Sequence, residues 1–310
     1  MSPFLDRLAR GPCLLLDGGL GSELIARGLP PGAPPDLWTL ERPEEILAVH
    51  RAYVESGSDV VHANTFGANA ARLACFGLLE RRAEVNRAAV RLARESGASL
   101  VVADIGPTGE YLPPVGHGDP ARWRAHFLEQ ARILSDAGVD AFHVETMSDL
   151  REALVALEAL REAAPGVPAM VSLTFDRKKR GFFTLMGDAA VASLARLREA
   201  GADAVGANCT LASGDMRDLA LEAAAAGLAP LVFQPNAGQP ERLAHGVRYA
   251  QEPDRFAAEM APLAGVAGVA ALGGCCGTDP RFIAALRARL DVIAAGPASP
   301  GRAGSVEGTA

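Results

Sequence analysis

The chain has 310 residues, 49% of them hydrophobic, and a net charge of −7. Length admits one large barrel domain or two ordinary ones, while the acidic balance argues against nucleic acid or an anionic membrane as the main partner. Aromatic residues make up only 5%, too few for a base-stacking platform.

The N-terminal residues lack the basic-then-apolar order of a signal peptide. Every apolar stretch is short and broken by charge, Gly or Pro, so no segment reads as membrane-spanning. Five cysteines, an odd number, fit a reducing compartment. The expectation is a soluble cytoplasmic protein.

Cys13 to Asp17 is an apolar run ending on a carboxylate, followed by Gly18-Gly19-Leu20-Gly21-Ser22 and a helical turn from Glu23 to Arg27. Pro30 to Pro35 reads as a loop. Pro43 to Gly57 has helical spacing with Pro at its first turn and Gly as its stop. Strands are expected at Asp59–Asn64, Ser99–Ile105, Asp140–Glu145, Ala169–Phe175, Asp203–Cys209, Pro230–Pro235, and in the apolar run ending at Gly273-Gly274-Cys275-Cys276. Helices are expected at Glu80–Ser96, Asp119–Ala137, Ser148–Ala164 with Ser148 as its cap, Ala189–Ala200, Ser213–Ala226, Asp254–Leu263 and Pro280–Leu290. Residues 296–310 are Gly, Pro, Ser and Ala with little to bury, and read as a disordered tail after a barrel over 1–295.

Eight apolar runs, each followed by a helical pattern, point to an α/β fold, a single-domain (β/α)8 TIM barrel, rather than an open doubly wound sheet. The glycine turn after Asp17 does not have the Gly-x-Gly-x-x-Gly spacing of a dinucleotide site.

Chemistry in such barrels sits at the C-terminal ends of the strands. Those ends carry Asp17, Asn64-Thr65, Asp104, Glu145-Thr146, Thr174 with Asp176, Asn208-Cys209, Pro235-Asn236 and Cys275-Cys276. Side chains of a strand alternate between faces, so two neighbours cannot meet at one point. Gly273 and Gly274 are expected to lift that restriction through conformations closed to other residues. Three thiolates from two strand ends then form an open site for Zn2+, with a fourth position vacant. A vicinal disulfide or redox pair at Cys275-Cys276 is the competing reading, and a reducing cytosol disfavours it. Cys13 and Cys75 read as ordinary buried residues. His62, His117 and His143 read as structural or exposed rather than as ligands. Asn208, Asn236 or a water are the candidates to cap a resting metal.

Asp17-Gly18-Gly19-Leu20-Gly21-Ser22, Asn64-Thr65-Phe66-Gly67, Gly106-Pro107-Thr108-Gly109, Glu145-Thr146, Gly206-Ala207-Asn208-Cys209, Pro235-Asn236-Ala237-Gly238 and Gly273-Gly274-Cys275-Cys276-Gly277-Thr278 together resemble the homocysteine S-methyltransferase family from about residue 10 to 290. Within it, Gly106-Pro107-Thr108-Gly109 and Thr184-Leu185-Met186-Gly187 are most similar to the homocysteine-binding module of cobalamin-dependent methionine synthases. Gly19-Leu20, Ser22 and Ala63 depart from the residues common there. The resemblance implies zinc held by Cys209, Cys275 and Cys276. It also implies that Asp17 and Glu145 take the homocysteine ammonium and the amides of Gly18 and Gly19 its carboxylate, with Asn64 among the substrate-binding residues and Asn236 close to the metal.

A free thiol is mostly protonated at neutral pH, and a zinc-bound one is deprotonated, so such a centre activates a thiol for attack on a methyl carbon. Asp17 and Glu145 fit ammonium binding better than acid–base work, because this transfer needs no second proton shuttle. The expected reaction is conversion of homocysteine to methionine. Its methyl donor is methyl-cobalamin or methyltetrahydrofolate delivered by a cobalamin- or folate-binding partner protein. The alternatives are a stand-alone enzyme using S-methylmethionine or S-adenosylmethionine, and a non-catalytic zinc- and thiol-binding barrel.

Overall fold

Eight short runs dominated by Val, Leu, Ile and Ala form the strands β1 (Leu14–Leu15), β2 (Val60–Ala63), β3 (Leu100–Ile105), β4 (Ala141–Met147), β5 (Ala169–Leu173), β6 (Ala204–Ala212), β7 (Leu231–Asn236) and β8 (Val269–Leu272) in a computed structural model that describes residues 2–30, 32–242 and 247–295. Every ladder is parallel, in the order β1-β8-β7-β6-β5-β4-β3-β2. Two carboxylates stitch the seam between the end strands. Leu15 N–H donates to Asp59 Oδ2 at 2.9 Å, Asp59 N–H to Leu15 O at 2.7 Å, and His62 N–H to Asp17 Oδ2 at 2.8 Å. The sheet thus closes as a (β/α)8 barrel, as the alternation predicts, and among the described residues eight helices of eight residues or more, from Pro43–Glu55 to Pro280–Ala295, surround it.

Strand periodicity divides the interior into two cores. Outward residues such as Val61, Val101, Phe142, Val171, Val205 and Phe233 pack under the helices. Inward residues Leu14, Leu16, Val60, Val102, Ala141, Met170, Ala204 and Val232 fill the lower lumen against Phe4 and Leu8. Those two belong to a helix at Pro3–Arg10, which plugs the floor and is capped by Ser2 Oγ accepting from Leu5 N–H at 3.2 Å. Two residues further along each strand the lumen turns polar, with His62, Asp104, His143, Ser172 and Gln234. The site stands on this layer.

Several local expectations are corrected. Pro30–Pro35 runs into a helix at Pro35–Glu41, started by a proline whose missing N–H costs nothing there. Asp149, not Ser148, caps the next helix, its carboxylate accepting from Arg151 N–H at 2.8 Å. The last helix continues past Leu290 to Ala295. Two antiparallel hairpins, Asp176–Lys178 with Gly181–Phe183 and Pro240–Arg242 with Val247–Tyr249, interrupt the βα connections after β5 and β7. Cys75 is exposed, whereas Cys13 is half-buried and packs against the core. The tail expected at 296–310 lies outside the described residues. No helix among the described residues is long and apolar enough to cross a membrane.

Candidate active site

The sulfurs of Cys209, Cys275 and Cys276 lie within 4.8 Å of one another at the top of the lumen. Cys209 reaches the cluster through backbone strain. Cys209 and Thr210 adopt φ of 59° and 51°, a left-handed pair without glycine, and the β6–β7 register shifts between Asn208 and Ala212. Such conformations cost about 1–3 kcal/mol each and persist where the surroundings impose them. The glycines before Cys275 act differently from the sequence expectation. Neither Gly273 nor Gly274 has a positive φ; they are needed for room. A Cβ on Gly273 would stand 2.7 Å from Leu16 Cβ, and one on Gly274 2.2 Å from Thr278 Oγ1. Thr278 in turn holds the turn, its hydroxyl donating to Cys275 O at 2.6 Å and its carbonyl accepting from Gly19 N–H at 2.9 Å.

All five cysteines are free. Hydrogen bonds from Cys275 and Cys276 bring the Cys209 thiol down to about 3. The hydrogen bond to Cys209, with burial, pushes Cys276 up to about 12, and the bonds to Cys209 and Cys276, with burial, push Cys275 well above its ordinary value. Cys209 Sγ and Cys276 Sγ are 3.8 Å apart. Two thiolates at tetrahedral positions on zinc, each about 2.3 Å from the ion, would be about 3.8 Å apart. Asn236 hydrogen-bonds Cys209, and its Oδ1 is buried with no partner. Three soft donors at this spacing, with an oxygen lacking a partner beside them, fit a zinc ion.

The sulfurs open into a cavity of about 420 Å3. Asp17, Gly18, Gly19, Asn64 and Glu145 line it, whereas Asn236 sits buried behind the sulfurs. Asp17 is engaged by His62, whose Nδ1 lies 2.6 Å from Oδ1. The Gly19 amide is taken by Thr278, and Asn64 Nδ2 donates to Pro35 O and Thr39 Oγ1, each at 2.9 Å, anchoring the Pro35–Glu41 helix. Glu145 projects from β4 just before Thr146, whose φ is 60°. Asn208 clamps that residue: Thr146 N–H donates to Asn208 Oδ1 and Asn208 Nδ2 to Thr146 Oγ1, both at 2.7 Å. Burial pushes Glu145 up to about 7; the charge of His62 opposes this, and the negative charges of Cys209 and Asp17 add to it. Asp104 is driven well above the carboxylate range by burial and then by Glu145 and Asp17.

Sequence reasoning passed over His62 and His143, which lie beneath this site. The signal was available: they stand two residues before Asn64 and Glu145, in the same inward phase of their strands. It also missed Asp36, Phe66, Arg72 and Phe76, which line the outer cavity from irregular segments and a short helix. Tyr249 was hidden too. It arrives on the second hairpin to bond Cys276, packing so closely on Gly277 that a Cβ there would lie 2.3 Å from its ring.

The family described as Homocysteine S-methyltransferase matches residues 14–290. The methionine synthase of Mycobacterium leprae is 31% identical over 81% of this chain and 22% of its own length. That of Mycobacterium tuberculosis is 30% identical over 86% of this chain and 24% of its own. The chain thus spans less than a quarter of these relatives. The crystal structure of the metallated homocysteine methyltransferase MmuM from Escherichia coli superposes with a TM-score of 0.73 at 29% identity, covering 91% of this chain and 98% of the other.

Proposed function

Because the chain belongs to the homocysteine S-methyltransferase family, we propose that it transfers a methyl group to the sulfur of homocysteine, making methionine. The observation that carries this reading is the gathering of Cys209, Cys275 and Cys276 in the lining of a cavity that Asp17 and Glu145 also line. Cys209, Cys275 and Cys276 would hold Zn2+, with Asn236 placed to cap it. When bound, the ion supplies the Lewis acidity that keeps a thiol deprotonated and nucleophilic at neutral pH.

The protein groups do the rest. Glu145 and Asp17 fix the amino end of the substrate, and the Gly18–Gly19 turn receives its carboxylate, the Gly18 amide directly and the Gly19 amide if Thr278 yields it. Held at that end, the substrate directs its sulfur toward the three cysteines. The mouth between Pro34–Asp36, Phe66 and Phe76 admits the donor. Its methyl group comes from a partner protein carrying methyl-cobalamin or methyltetrahydrofolate, as the likeness to methionine synthases suggests.

A second reading, a free sulfonium such as S-methylmethionine or S-adenosylmethionine, is favoured by the cavity itself. Its outer part combines Phe66 and Phe76 with Asp36, a buried carboxylate with one oxygen lacking a partner. The faces of Phe66 and Phe76 suit a cation, and Asp36, partly offset by Arg72, adds to that preference. Zinc-loaded protein is incubated with homocysteine and each donor in turn, and methionine is assayed. Formation with a free sulfonium selects the stand-alone enzyme, and strict dependence on a corrinoid or folate protein selects the partner reading. Homocysteine binding without transfer from any donor defeats both.

A further inference from the structure

Beneath the carboxylates runs a buried chain of hydrogen bonds that crosses four strands. Asp17 Oδ2 accepts the backbone N–H of His62 at 2.8 Å, and Oδ1 lies 2.6 Å from His62 Nδ1. His62 Nε2 lies 3.0 Å from His143 Nδ1, and His143 Nε2 lies 2.8 Å from Ser172 Oγ. Asp17, His62, His143 and Ser172 are 2%, 6%, 0% and 0% exposed, so solvent does not compete for any of these bonds.

Two adjoining imidazoles in such a place cannot both be charged. The contacts decide between them. His62 has a carboxylate at hydrogen-bond distance, whereas the nearest carboxylate oxygen to His143, Glu145 Oε2, is 3.6 Å away. Burial lowers the affinity of His62 for a proton, but the charge and hydrogen bond of Asp17, with Glu145 behind them, outweigh it and raise its pKa. Burial and the charge on His62 both depress His143. The other titratable group facing His62 is His50, on the Pro43–Glu55 helix. It is fully buried with no partner on either ring nitrogen, and burial brings it down to about 4.

We infer that His62 is the resident cation of the amino-acid site, a buried imidazolium clamped on Asp17 and backed by neutral His143, which leaves Glu145 as the carboxylate open to the substrate ammonium. This rests on the homocysteine reading and divides the work between its two acids. With both ring nitrogens protonated, His62 donates through Nδ1 to Asp17 and through Nε2 to His143 Nδ1. His143 is then the Nε2–H tautomer and donates to Ser172. Its Nδ1 lone pair is committed to His62, so it offers no proton to Glu145. The charges of Asp17 and His62 cancel, and Glu145 is left uncompensated. His62 is thus a positioning residue: its proton selects which carboxylate recognises the substrate.

The test uses the full chain loaded with zinc. Nitrogen-15 NMR of the histidine rings near neutral pH should show both nitrogens of His62 protonated and His143 as a single neutral tautomer. Titration with L-homocysteine should give a Kd raised roughly thirtyfold by Glu145→Gln but only about threefold by Asp17→Asn. In a His62→Gln background Asp17 regains its unbalanced charge, and Asp17→Asn should then cost about tenfold. A purely structural role for His62 would not change that ranking. Neutral His62 near neutral pH, or equal losses for the two carboxylate variants in the wild-type background, overturns the inference. Wild-type protein that binds no homocysteine defeats the homocysteine reading instead, and the ring-nitrogen signals then decide the imidazolium alone.

Discussion

Replacing Asn208 by alanine isolates the device that points Glu145 into the cavity. Asn208 is fully buried, and both ends of its amide are bonded to Thr146, at 2.7 Å each, while Nδ2 also donates to Cys275 Sγ at 3.8 Å. Alanine removes two hydrogen bonds, worth about 1 kcal/mol each, and leaves the Thr146 N–H without its acceptor, a penalty of about 1–3 kcal/mol. Together these predict a loss of about 3–5 kcal/mol and, at about 2 °C per kcal/mol for a chain of this size, a Tm lower by roughly 6–10 °C. Thr146 also loses what holds it at φ 60°. Its return to an ordinary conformation would swing the preceding Glu145 away from the ammonium, and homocysteine should bind about tenfold more weakly, the equivalent of about 1.4 kcal/mol. Thr146→Ala, which keeps the backbone N–H bond to Asn208 Oδ1 and deletes only the hydroxyl's bonds to Asn208 and Glu145, should cost less stability, about 1–2 kcal/mol, and less affinity. Thermal melts and calorimetric titration read both quantities. An Asn208→Ala protein with unchanged Tm and unchanged Kd would refute the clamp.

Gly274→Ala places a methyl 2.2 Å from Thr278 Oγ1, and should displace the turn bearing Cys275 at a cost of about 1–3 kcal/mol. Metal content should fall with it, and Thr278→Ser, which removes the crowded methyl but keeps the hydroxyl, should restore little because that oxygen is the nearest clash; elemental analysis of both variants checks this. Glu145 titrates at about 7 because burial favours its neutral form. Ammonium binding needs the carboxylate, so homocysteine affinity should fall as pH drops through that value, by about tenfold per unit below it. The part of the slope due to this carboxylate should vanish in Glu145→Gln, leaving only the dependence that comes from deprotonating the substrate thiol, as a titration series across this range would show.

Much of the barrel is legible because its signal is periodic. Val60-Val61-His62-Ala63 and Leu100-Val101-Val102-Ala103 each place one set of side chains in the lumen and the other under the helices. What is not legible has no periodic signature. β1 keeps only two residues in its ladder, and the seam beside it is made by the carboxylates of Asp17 and Asp59. The left-handed turn at Cys209-Thr210 contains no glycine, so its residues gave no hint that the strand bulges there. Tyr249 enters on a hairpin of charged and polar residues that reads as loop. His62 and His143 are a different case. Their inward phase is legible, but a histidine on a single strand carries no sign of the partner it meets across the lumen.

Zinc analysis of purified chain, with X-ray absorption before and after homocysteine, tests the central claim most directly. The account predicts one zinc per chain bound by three sulfurs and one lighter atom, becoming four sulfurs with homocysteine, and no bound zinc in Cys209→Ser. Wild-type protein without zinc, or a metal retained in full when Cys209 is replaced, would contradict it.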